Sequence, residues 1–109
     1  MSFSSACATN MSLAREYKLR PKADADLEGI WFYSLDRWSL DQADNYTDQV
    51  LATLNELASG TRRGSVVPHL VDVLRCPVGS HAIFYQERPD VIDVVRILHQ
   101  NMDPRRHLT

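Results

Sequence analysis

With 109 residues, 44% of them hydrophobic, the chain is sized for one domain around a single modest core. Its formal net charge of -2 hides an asymmetry: residues 1–60 carry five Lys/Arg against nine Asp/Glu, and residues 61–109 carry seven against five. That balance excludes a strongly basic nucleic-acid binder, no apolar run approaches the ~20 residues of a membrane span, and two cysteines without a motif read as reduced thiols of a cytoplasmic protein.

Residues 1–13 have no periodic pattern and lack the basic start and apolar core of a secretory signal, so they read as a disordered extension, with Met11 a second candidate start. The single domain is expected over residues 14–109. Arg15 to Leu19 alternates, Tyr17 and Leu19 against Glu16 and Lys18, as a short strand does. Pro21 then opens a helix at the position where a missing N–H costs nothing. Ala23, Leu27, Ile30, Trp31, Ser34 and Trp38 follow at steps of three and four, which predicts one amphipathic helix with both tryptophans packed in the core or the helical hairpin.

Ser39-Leu40-Asp41-Gln42 fits a capping box. The helix it opens carries Ala43, Tyr46, Val50, Leu54 and Leu57 on one stripe and stops at Ser59-Gly60. The short link folds the two helices back on each other as an antiparallel αα-hairpin. Gly60 to Pro68 reads as loop and Leu70 to Cys76 as a strand. His81 to Glu87 and Val91 to His99, separated by Arg88-Pro89-Asp90, read as a β-hairpin. The second strand is apolar on both faces and is expected in the sheet interior. Strict alternation puts Asp93 with Val95, Ile97 and His99, and Arg96 with Val94 and Leu98. Asp103-Pro104 begins a last helical turn. The order β-α-α-β-β-β with a short C-terminal helical turn predicts an α+β fold: an antiparallel αα-hairpin on one face of a small, mainly antiparallel sheet, the other face partly open.

None of His69, His81, His99 and His107 has zinc spacing, and with four glycines there is no phosphate loop, so neither a metal nor a cofactor is expected. His81 and His99 fall at the same end of the hairpin. With Arg75, Arg96, Arg105 and Arg106 they can form a basic, imidazole-containing concavity able in principle to cleave a phosphodiester, His transferring protons and Arg steadying charge. The competing reading has Arg75 and Arg96 paired with carboxylates such as Asp93, and the histidines making ordinary hydrogen bonds at strand ends. Trp31, Trp38 and Tyr46 have an alternative role as an aromatic groove for another chain's helix.

The chain resembles the ParE group of the RelE/ParE toxin superfamily of bacterial type II toxin–antitoxin operons. The resemblance is carried by Tyr17 to Pro21 with Ala23, Asp26-Leu27 and Ile30-Trp31; by Tyr33 with Arg37-Trp38; by Gln42-Ala43 with Tyr46; by Gly79-Ser80-His81 with Ile83-Phe84-Tyr85; and by Val95 to Gln100 with Met102-Asp103. Where the family commonly shows a Gly-Tyr-Arg-Arg run before the hairpin, this chain reads Asp72-Val73-Leu74-Arg75. The resemblance implies a non-enzymatic toxin that binds and inhibits DNA gyrase and is neutralised by a ParD-like antitoxin, touching DNA only through that antitoxin. Trp31, Trp38, Tyr46, Tyr85 and Arg96 are then candidates for the antitoxin interface, and Arg75, His99, Arg105 and Arg106 for the target interface. Two alternatives stay open: a RelE-like ribosome-dependent mRNA endonuclease using His81, Arg96 and His99, and a non-toxic remnant that only binds antitoxin. Against the endonuclease, the last tyrosine is Tyr85 and no lysine follows Lys22.

Overall fold

The computed structural model describes residues 16–68 and 70–107. The extension over residues 1–13, the candidate start Met11, Cys7, Arg15 and His69 lie outside the described residues, as does the side chain of Arg105. Strand β1 (Glu16–Leu19) leads into helix α1 (Pro21–Arg37) and helix α2 (Leu40–Ser59), followed by β2 (Ser65–Val66), β3 (Leu74–Val78), β4 (His81–Glu87), β5 (Val91–His99) and α3 (Pro104–His107). The five strands form one sheet in the order β1-β5-β4-β3-β2, antiparallel except for the parallel β1–β5 pair. Two helices packed on one face of this sheet make the expected α+β architecture.

The helices begin and end where the local chemistry requires. Pro21 is the first residue of α1, and Ala23, Leu27, Ile30 and Ser34 form its buried stripe. The Ser39 hydroxyl accepts from the Gln42 N–H at 3.2 Å, filling one orphan donor at the start of α2. At its far end Gly60 takes the left-handed conformation (φ 85°), which a side chain would strain. β4 and β5 have the expected bounds, joined through Arg88-Pro89-Asp90.

The sheet itself departs from expectation in three places. The strand expected over Leu70 to Cys76 is shifted to Leu74–Val78, because residues 70–73 turn, with Asp72 at positive φ (61°). Pro77 is tolerated there because β2 reaches only Arg75 and Leu74, so no outer neighbour awaits an N–H at position 77. The two-residue β2 lies within a stretch read as loop; it is too short for alternation to register.

The third departure is a β-bulge. Phe84 pairs with Arg96 and Tyr85 with Val94, which leaves Val95 as an extra residue in β5. Strict alternation fails at that point: Val94 and Ile97 both face the helices, in one cluster with Ile83, Tyr85 and Ile92, whereas Leu98 faces away. β5 is an interior strand over Val91–Val94, where β1 flanks it, and its last residues run on past the end of β1.

The face away from the helices is less open than the sequence suggests. Val67, Leu70 and Val73, which precede β3, cover Ala82, Phe84 and Leu98, forming a second, smaller core. Large apolar side chains stand in solvent mainly on the helical hairpin instead: Phe32 (62% exposed), Tyr33 (56%), Trp38 (64%) and Leu40 (53%).

Candidate partner-binding site

The candidate residues fall into separate places. Tyr85 is fully buried, its hydroxyl accepting from the Gly64 N–H at 2.7 Å, so this expected surface contact is part of the core. Its position opposite Leu74 on the helix-facing side of the sheet is the reason. Trp31 is half-buried, on the outer side of α1, where its Nε1–H donates to Asp44 of α2 at 3.0 Å and its ring meets Phe32 edge-on at 5.1 Å. It is not in the core, since Ile30 and Ser34 already occupy the inward stripe.

Between the two helices Trp31, Phe32 and Leu51 floor an outer groove of about 330 Å³, edged by Glu28, Asp44 and Asp48, with Thr47 in its wall. The signal for it lay in Ile30-Trp31-Phe32-Tyr33, four consecutive large apolar residues of which a single helical stripe buries at most two.

A second concavity, at the end of the sheet, gathers Tyr33, Trp38, Tyr46, His81 and His99. Tyr46 is its hinge pin. The hydroxyl accepts from the Ser80 N–H at 2.9 Å, lies 3.2 Å from the Val78 carbonyl and 2.7 Å from His81 Nδ1, and the ring packs on Gly79, whose φ of 58° and lack of a Cβ make that contact feasible. His81 and His99 are cross-strand partners with ring centroids 5.3 Å apart. His99 Nδ1 accepts from the Asn101 N–H at 3.2 Å. Burial holds the His81 imidazole below its ordinary value, and repulsion from His99 adds to that, with Asp26 opposing.

His81, Arg96 and His99 do line one shallow hollow with Met102 and Tyr33. Arg96 is nonetheless committed: Nε and Nη2 donate to the two carboxylate oxygens of Asp26 at 2.7 and 2.9 Å, and Nη1 to the His107 carbonyl at 3.4 Å. Asp26 also accepts the Ile97 N–H at 3.0 Å, taking the place of a strand neighbour beyond β1. The pairing of Arg96 with Asp93 is thus corrected. Asp93 is held by Arg20 at 2.9 Å and Arg88 at 3.5 Å, because β1 delivers Arg20 beside it, and the Arg20 hydrogen bond keeps its carboxyl below the usual range. Arg75 stays outside the hollow, opposite Phe84 on the other face of the sheet, and has no ion-pair partner among the described residues. Arg106 is exposed on α3. Among the described residues no group of three or more His, Cys, Asp or Glu is arranged to hold a metal, and no helix is long and apolar enough to cross a membrane.

The sequence over residues 17–104 matches the family model described as the ParE toxin of the type II toxin–antitoxin system parDE. The chain belongs to the ParE toxin family. Toxin ParE1 of Caulobacter vibrioides is 38% identical over 95 residues, covering 86% of this chain and 98% of that protein. Toxin ParE1 of Mycobacterium tuberculosis is 38% identical over 98 residues, covering 88% of this chain and all of its own. The fold is shared with a chain of the chromosomal ParDE toxin–antitoxin system from P. aeruginosa, at a TM-score of 0.69 and 16% identity, over 81% of this chain and 98% of that one. Within this ParE scaffold the two helices carry the exposed aromatic surface, and Arg96 acts as a clamp between β5, α1 and the C-terminal turn.

Proposed function

We propose that this ParE-family toxin acts by binding DNA gyrase, with no chemistry of its own, and that a ParD-like antitoxin holds it inactive. The observation that carries the reading is the state of the would-be catalytic groups. Arg96 is tied bidentately to Asp26, and His81 is bound to Tyr46 with its basicity depressed. A site built for phosphodiester cleavage needs those groups free to meet the scissile phosphate and to exchange protons. Phe32, Tyr33, Trp38 and Leu40 instead present the exposed apolar surface that a protein partner covers.

The ParDE assembly named for the structural neighbour supports an antitoxin partner. Its source is expected in the adjoining reading frame, as a small protein with a ribbon-helix-helix start and a charged tail. The test is induction of the toxin alone, with DNA supercoiling, mRNA integrity and growth followed together. Lost gyrase supercoiling activity with intact mRNA is the expected result. Cleaved transcripts with normal supercoiling would transfer the assignment to His81, Arg96 and His99 as a ribonuclease, and unimpaired growth would leave an antitoxin-binding remnant.

A further inference from the structure

We infer that the concavity at the end of the sheet, around Tyr33, Trp38, His81 and His99, holds an unpaired nucleobase of a single-stranded nucleic acid and binds it without cleaving it. The inference is independent of which proteins the toxin meets. It adds a direct nucleic-acid contact where the family resemblance implies one only through the antitoxin. Three features of the hollow specify this ligand.

The first is flat aromatic surface left in water. Tyr33 and Trp38 are both exposed at the C-terminal end of α1, and with Tyr46 they line a cavity of about 310 Å³. That is the small end of the usual ~300–1,000 Å³ range for ligand sites and suits one planar heterocycle with its sugar. Tyr46 is pinned through its hydroxyl to Ser80 and His81, so this part of the wall is fixed in advance. An exposed indole is stabilised when its face is covered, and every base has a π-face to cover it with.

The second is a set of hydrogen-bonding groups beside the rings. His99 Nδ1 accepts from the Asn101 N–H, so in the neutral imidazole the proton sits on Nε2, which is left as a donor. The same bond argues against a metal ion, since ligation through Nε2 needs a proton on Nδ1, against the Asn101 N–H. His81 already has Nδ1 engaged by Tyr46, and Gln42 and Ser80 add an exposed amide and an exposed hydroxyl to the lining. A base edge carries donors and acceptors to match such groups. An apolar side chain of a protein covers the same rings but leaves these groups dry and unpaired, which is costly.

The third is charge. No carboxylate lines this hollow, whereas Glu28, Asp44 and Asp48 edge the outer groove of the hairpin. The adjoining shallow hollow contains Asp26, whose charge Arg96 already balances. Arg37 lies over the Tyr33 ring, 5.5 Å from its centroid, and forms no ion pair among the described residues, so one cation stands beside the hollow to meet a phosphate. A single cation supplies little backbone attraction, and the affinity comes from stacking. Cleavage does not follow, because Arg96 is held by Asp26.

The test titrates the full chain, in a Trp31→Phe background where Trp38 is the one remaining indole, with oligoadenylate about ten nucleotides long as single-stranded DNA, as single-stranded RNA and as a duplex. The expected result is quenching of Trp38 by the single strands, at affinities at least about tenfold above the duplex, whose bases are already stacked and paired. The tighter of DNA and RNA identifies the source of the base. Raising the salt should lower log K with a slope of about −0.7, the value for one phosphate contact on a single strand. If Trp31→Phe does not fold, anisotropy of labelled strands on the parent chain makes the same comparison.

Anisotropy also ranks variants. Trp38→Leu and Tyr33→Leu should weaken binding at least about fivefold, while Trp38→Phe, which keeps a ring, retains most of it. Val66→Ser, in the edge strand β2 three strands away from β5, should stay within about twofold of the parent. Both aromatic side chains are exposed, so circular dichroism should show folded variants. Failure of either strand to quench Trp38 would overturn the proposal and leave the hollow to a protein surface. Equal binding of the duplex, a salt slope steeper than about −2, or unchanged affinity in folded Trp38→Leu would overturn it as well. None of these outcomes bears on gyrase or the antitoxin.

Discussion

Arg96 and Asp26 stand 70 positions apart in the chain, yet their side chains meet through two charge-assisted hydrogen bonds of 2.7 and 2.9 Å, each side chain less than a fifth exposed. The pair fastens α1 to the part of β5 that β1 does not reach. Replacing Arg96 by Ala leaves the largely buried Asp26 carboxylate without its cation and frees the His107 carbonyl. The expected loss is about 2–3 kcal/mol, at the low end for a broken buried pair because both groups keep some water. Urea unfolding of Arg96→Ala, Asp26→Ala and the double variant checks this. Coupling near zero in that cycle would mean the geometry carries no energy.

Tyr46 should prove more important than its partial exposure suggests. Tyr46→Phe keeps the ring against Gly79 and removes the hydroxyl that serves Ser80 and His81, with an expected cost of about 1–2 kcal/mol. Gly79→Ala should cost more, above about 2 kcal/mol, since the new methyl meets the Tyr46 ring and the backbone keeps a positive φ. Thermal melting of the two variants orders them. The reverse order would show that the Gly79 turn relaxes freely.

Acidification should destabilise the fold in two steps. His81 is held below its ordinary value of 6.5 in the folded chain, so the unfolded chain binds more protons as pH falls past 6.5, and stability falls with it until the folded group also titrates. Asp93 is depressed below 3.8 by Arg20, so its contribution is complete above that value and lost as pH falls through the folded one. Unfolding midpoints between pH 8 and 5 should decline for the parent and flatten for His81→Gln. A decline of the same size in the variant would reassign the effect.

Trp31 and Tyr85 invite opposite outcomes. Tyr85→Ala empties the core beneath both helices, for an expected loss of about 3–5 kcal/mol. Trp31→Ala removes a half-buried ring and one hydrogen bond, for about 1–2 kcal/mol. Antitoxin affinity should respond in the other sense, falling with Trp31→Ala and holding in the conservative Tyr85→Phe. A Trp31→Ala chain as damaged as Tyr85→Ala would return the indole to the interior.

Much of this arrangement was legible in the chain. The capping box at Ser39, the stop at Gly60 and the Arg88-Pro89-Asp90 break each act over a few residues, so they located α2 and the β4–β5 hairpin to the residue. The facing of β5 beyond Val94 was not, because alternation assumes one residue per partner and a bulge gives no local sign when Val-Val precedes it. Trp31 was misplaced for a related reason: a three- or four-residue step fits both the inward stripe and its flank. The Asp26–Arg96 pairing depends on where β1 ends, a tertiary fact that no window of sequence contains.

The unpaired Val95 has a consequence for how this strand tolerates changes in length. With Val95 deleted, Ile92, Val94 and Ile97 would still point to the helices and Arg96 and Leu98 away, since the remaining residues alternate without interruption. The strand would straighten, however, and carry the Ile97 amide off the Asp26 carboxylate that receives it. A shortened chain of this kind should keep its two cores and lose the grip of its first helix on the sheet margin.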